Sequence, residues 1–147
     1  MADHREEQIL ARVVTLVTGL TTTALRIDRG REDEIASENT PALRVRGGDD
    51  IVADPWAHAL LDSELDVIVE AKVYDSAANV ETKLIQIRKE VSIALLADHT
   101  LGLAFVEGIV ELGARKPLLS SESAKPSGSR ELMFRVKYRR SRTDPSA

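Results

Sequence analysis

The chain has 147 residues, of which 43% are hydrophobic and 30% charged, with a formal net charge of -4 at neutral pH. That length suits one domain around one core, and the composition lies far from the low-hydrophobicity, high-charge signature of disorder. The charge argues against general nucleic-acid binding. The absence of cysteine excludes a disulfide framework, a thiolate metal site and a cysteine nucleophile, and no stretch reaches the ~18 apolar residues of a membrane span, so a soluble chain in a reducing compartment is expected.

From His4 to Leu20 the apolar residues Ile9, Leu10, Val13, Leu16, Val17 and Leu20 fall on one face of a 3.6-residue period, which predicts a helix. Asp3 stands where a cap belongs, Glu6 three residues on completes a capping box, and Gly19 marks the end. Ala24 to Asp28 reads as a short extended segment, and the acidic stretch Glu32 to Glu38 as an exposed loop. After Pro41, Leu43 and Val45 alternate with Arg44 and Arg46 in a half-buried strand that the run Gly47 to Asp50 is expected to break.

The longest alternation follows. Leu61, Leu65, Val67, Val69, Ala71 and Val73 share one face, and Asp62, Glu64, Asp66, Glu70 and Lys72 share the other, as in a long strand of antiparallel type. The period then changes. Val80, Leu84, Ile87, Val91 and Leu95 predict a second amphipathic helix, capped at Asn79 and ending near Asp98. Phe105 to Leu112 reads as a strand interrupted by Gly108, and Leu132, Phe134, Val136 and Tyr138 alternate with Arg135, Lys137 and Arg139 in a last strand. Between these two, Lys116 to Ser129 holds two prolines, one glycine and five serines, the composition of a mobile loop or the tip of a long hairpin. Residues 141 to 147 read as a flexible tail. The expected fold is α+β, a mainly antiparallel sheet covered by two helices, in the order α-β-β-β-α-β-β and within one domain spanning residues 1 to 147.

No constellation for catalysis emerges. His4, His58 and His99 are isolated, without a Glu or His at metal-ligand spacing, so no metal site is expected. Asp49, Asp50 and Asp54 lack the alternating oxygen ligands of a calcium loop and read as a solvated turn. Gly47 and Gly48 precede two carboxylates that would repel phosphate. Ser120, Ser121 and Ser123 lie in a polar stretch without the rigid base and oxyanion partners of an activated nucleophile. No cofactor is expected.

What remains is a contrast between strands: Asp62, Glu64, Asp66 and Glu70 on one, Arg135, Lys137 and Arg139 on another. Opposed within one sheet they form a stabilising ladder, and divided between subunits they form a docking code; both readings stand. Together with Trp56, these residues are the candidate interface.

Several segments carry a family likeness: the opening helix Gln8 to Leu20 followed by Ala24 to Gly30, the "TPALRVRGGDD" run from Thr40 to Asp50, and the long strand Ser63 to Tyr74. The helix Val80 to Leu95, the segment Leu103 to Leu112 and the closing "ELMFRVKYRR" from Glu131 to Arg140 continue it. In order, length and texture they resemble the tail terminator proteins of long-tailed bacteriophages, the class of the lambda minor tail protein U. The resemblance implies a non-enzymatic virion subunit that assembles with itself into a hexameric ring at the head-proximal end of the tail. Such a ring caps the tail tube protein, stops tube growth and offers the surface for a head-completion or neck protein, while DNA passes through it without specific binding. A neck or tail-completion protein and a small enzyme are the rival readings.

Overall fold

The computed structural model describes residues 3–30, 35–120 and 126–147. Two helices and six strands build one mixed, mainly antiparallel sheet with both helices on one side, which is the α+β arrangement expected.

Helix α1 (Arg5–Val17) buries Ile9, Leu10, Val13 and Val17, one apolar residue per turn, against the sheet. Its cap is His4, whose Nδ1 accepts the Glu6 backbone N–H at 2.9 Å, and not the expected Asp3. The helix stops where Gly19 takes φ +85, the left-handed conformation that a residue without Cβ adopts freely. Strand β1 (Ile27–Arg29) runs parallel to β2 (Ala42–Val52). A single 3-10 turn, Ser37–Asn39, lies between them; residues 32–34 of the expected acidic loop lie outside the described residues.

Gly47 to Asp50 does not end β2 as expected. The strand passes through a bulge there and resumes, with Ile51 and Val52 opposite Glu64 and Ser63 of β3 (Leu60–Tyr74). The glycines make the bulge possible and give room on both sides: a Cβ at Gly47 would stand 3.3 Å from Leu10 Cδ1, and one at Gly48 would stand 3.1 Å from Asp66 Cβ.

Helix α2 (Ala77–Leu96) begins two residues before the expected cap; Ser76 occupies that position without a side-chain hydrogen bond, and Asn79 lies inside the helix. Strand β4 (Val106–Ala114) carries two bulges, one at the expected interruption near Gly108. A short β5 (Leu118–Ser120) then pairs with the start of β6 (Ser127–Ser141), so part of the segment expected as loop or hairpin tip is ladder; residues 121–125 lie outside the described residues.

The strand order is β1-β2-β3-β6-β4, with β5 beside β4 along the same edge of β6. The centre is the ladder between β3 and β6, unbroken from Leu60 opposite Ser141 to Tyr74 opposite Ser127. Because side chains alternate, one register puts Leu65, Val67, Val69, Leu132, Phe134 and Val136 together under the helices, all at most 1% exposed, and turns Asp62, Glu64, Asp66, Glu70, Arg135, Lys137 and Arg139 to the other face. Residues 141–147 fold back: Arg5 N–H donates to Pro145 O at 2.9 Å and Arg142 N–H to Ala59 O at 3.1 Å. Among the described residues, no helix is long and apolar enough to cross a membrane.

Candidate interaction surface

The sheet face away from the helices carries a ladder of opposite charges. Arg135 Nε donates to Asp66 Oδ1 at 2.8 Å, directly across the β3–β6 pair, and Arg139 Nε donates to Asp62 Oδ1 at the same distance. Lys137 stands opposite Glu64 in register, yet its Nζ lies 3.3 Å from Glu107 on β4, which also takes Arg139 Nη2 at 3.4 Å. Further along, Arg46 of β2 bridges Glu70 at 3.4 Å and Glu131 at 2.5 Å, and Arg115 reaches Glu131 at 3.2 Å. The seven charged candidates thus share one face of one chain. Six of them make ion pairs within it, while Glu64 raises the affinity of Arg135 for its proton through space.

The hydrogen bond from Arg139, and after it the charges of Arg139 and Lys137, hold the Asp62 carboxyl below the usual carboxylate range. The hydrogen bonds that Arg135 donates to Asp66 and Arg139 donates to Asp62 push both guanidiniums up. Such exposed pairs are screened by water and individually weak, so the ladder fixes orientation more than stability. Glu107, Glu131, Arg46 and Arg115 complete the network and were not singled out from sequence. The bulges in β4 break the alternation that would have placed Glu107, and Arg46 read as a member of its own strand only.

The aspartates between Gly47 and Pro55 do separate tasks. Asp50 Oδ2 accepts the Tyr138 hydroxyl at 2.5 Å, and Asp54 Oδ1 accepts the Trp56 backbone N–H at 3.1 Å. Burial first, then the Asp50 bond and charge, push the Tyr138 hydroxyl well above its ordinary pKa. Among the described residues no three His, Asp or Glu side chains gather as metal ligands. His99 lies against Gly108, where a Cβ would sit 2.5 Å from its ring. Ser120 pairs in β5, and Ser121 and Ser123 lie outside the described residues.

Trp56 is 83% exposed, close to Ile51 and Leu60 at the same end of the β2–β3 pair, both also exposed. A depression of about 570 Å³ opens on the charged face between Glu70, Arg115, Leu118 and Arg130. On the helix side, Ile85, Ile93 and Leu96 of α2 are exposed as well, off the stripe that fills the core.

The class these features define is an α+β layer with two helices on one side of a six-stranded sheet and a charge-laddered face on the other. No protein-family model matches the chain, and no curated protein does. Among solved structures, a chain in the virion of a native gene transfer agent (GTA) particle shares the fold. The two align at a TM-score of 0.53 and 17% sequence identity, over 92% of this chain and 90% of that one.

Proposed function

We propose that this chain is a structural virion protein of a phage-like particle and, within that class, a tail terminator. It closes into a homohexameric ring at the head-proximal end of the tail, caps the tail tube, ends tube polymerisation and provides the surface for head-tail joining. The observation that carries the reading is the fold shared with a chain of a virion along nearly the full length of both. On this reading the chain works by assembly and without a cofactor. Its partners are further copies of itself, the tail tube protein and a head-completion or neck protein.

A neck or tail-completion protein that joins a different ring is the second reading, and one experiment separates the two. The gene is removed from a particle-producing host and the products are viewed by negative-stain microscopy. Overlong tails without heads are expected. Tails of normal length that fail to join heads would assign the chain to the neck, and intact infectious particles would refute both.

A further inference from the structure

Helix α2 presents apolar residues on two opposite faces. Val80, Leu84, Ile87, Val91 and Leu95 fill the core, while Ile85, Ile93 and Leu96 lie on the side turned away from the sheet, 53%, 62% and 41% exposed. A helix that only covers a sheet needs one apolar stripe and carries polar residues on its outer side. Three large aliphatic side chains there form a surface that stays in water only at a cost.

The charges of α2 define what would cover that surface. The helix holds five charged residues, and three are taken up within the chain. Lys83 pairs with Asp75 at 2.5 Å, Arg88 pairs with Glu111 at 2.9 Å, and Glu90 accepts the Thr22 backbone N–H at 2.8 Å. Glu81 and Lys89 remain, both exposed and, among the described residues, without an ion pair. They stand four residues before and four residues after Ile85, one turn away on each side along the same face. This pattern is its own complement. When two copies of α2 lie antiparallel about a two-fold axis at Ile85, positions equally far from 85 face each other, so each Glu81 meets the other copy's Lys89 while the Ile85 side chains pack at the centre. Other arrangements lose the match: a parallel pair sets Glu81 against Glu81, and an axis one turn further on sets the two Lys89 ammoniums together.

We infer that the outer face of α2 docks on the same face of a second copy of this chain, antiparallel, with Ile85 at the centre and a Glu81–Lys89 pair on each side. The contact is isologous and closes at two copies. It lies on the helix side of the sheet, away from the charged face, so it goes beyond the ring-forming reading and does not rest on it. A helix of 20 residues is about 30 Å long, and one face of it is small beside the surface that a standard interface buries, so the pairing is weak and forms at high concentration.

Glu81→Lys and Lys89→Glu each turn both attractive pairs into repulsive ones, at exposed positions where the chain stays folded. Sedimentation between about 10 μM and 1 mM should show the wild type pairing, with a dissociation constant that rises about tenfold or more in either variant. An equimolar mixture of the two variants should pair like wild type, because one copy then carries two cations and the other two carboxylates. The chain has no cysteine, so single thiols locate the axis. Ile85→Cys should cross-link to itself through a short bis-maleimide, whereas Ile93→Cys, about 24 Å from its symmetry mate along the helix, should not. A wild type that stays monomeric throughout that range, a mixture that pairs no better than its components, or Ile93→Cys cross-linking as readily as Ile85→Cys would each overturn the contact.

Discussion

Gly128→Ala tests how closely α2 sits on the sheet. Gly128 lies in β6 opposite Val73, under the first turns of α2. A Cβ at this position overlaps Val80 Cγ1 and stands 3.0 Å from Leu119 Cδ2 and 3.2 Å from Leu84 Cδ1. Val80 and Leu84 are 2% and 0% exposed, so neither swings aside without disturbing its neighbours. Overpacking of this kind destabilises by about 1 to 3 kcal/mol, against which alanine recovers about 0.5 to 1 kcal/mol of the backbone entropy that a strand glycine loses. The expected net loss is about 1 to 2 kcal/mol, or roughly 2 to 8 °C in Tm for a chain of this length. Thermal and urea unfolding followed by circular dichroism read it, with an unchanged urea slope. Adding Val80→Ala should relieve part of the loss, giving a favourable coupling of about 0.5 kcal/mol or more. A Gly128→Ala protein as stable as wild type, or a double variant whose effects simply add, would refute this packing of α2 on β6.

Three further outcomes follow from the same geometry. Val67 is fully buried between Gly47 and Phe134 in neighbouring strands. An unpaired carboxylate there costs several kcal/mol of a total near 5 to 15, so Val67→Asp should be recovered only as unfolded protein, and a soluble folded variant would count against the register. Tyr138 has its hydroxyl pKa raised in the folded state. Its contribution is therefore fully present below about pH 10, where an unfolded tyrosine ionises, and drains away as pH rises from there. The urea midpoint should fall between pH 9 and 11.5 (roughly the window about the free tyrosine value) more steeply in wild type than in Tyr138→Phe, and equal slopes would sink the assignment. Arg135→Glu with Lys137→Glu breaks exposed pairs to Asp66 and Glu107, so the subunit should stay folded with a slightly lower Tm while rings and tail termination are lost. Normal rings in that variant would make the ladder ordinary solvated surface.

How much of this was legible in the sequence depends on the range of the interaction concerned. Ile9, Leu10, Val13 and Val17 declare α1, and the alternation from Leu61 to Val73 declares β3, because a helix period or a strand period is written in neighbouring residues and needs no partner to be seen. The same alternation named the charged face of β3 and of β6 correctly, since whatever side the apolar residues take, the charges take the other. The sequence also offered Trp56 as an interface candidate, and its side chain is 83% exposed.

Tertiary structure decided everything that depends on which strands meet. Two facing charge rows are a ladder only if β6 lies beside β3 in one particular register, and a shift of one residue in β6 would have turned Arg135, Lys137 and Arg139 under the helices instead. Local rules failed where distant groups supplied what a local feature normally supplies. The glycines at 47 and 48 look like a strand end, but α1 and β3 press against them and carry the chain through a bulge. Asp3 and Asn79 look like caps, but hydrogen bonding and packing place the helix starts at His4 and Ser76. Arg142, expected in a free tail, reaches back 85 residues to hold the Ala57 carbonyl. A backbone N–H or a methyl group accepts a partner from anywhere in the chain, and the sequence by itself orders only those partners that lie within a turn or a strand of each other.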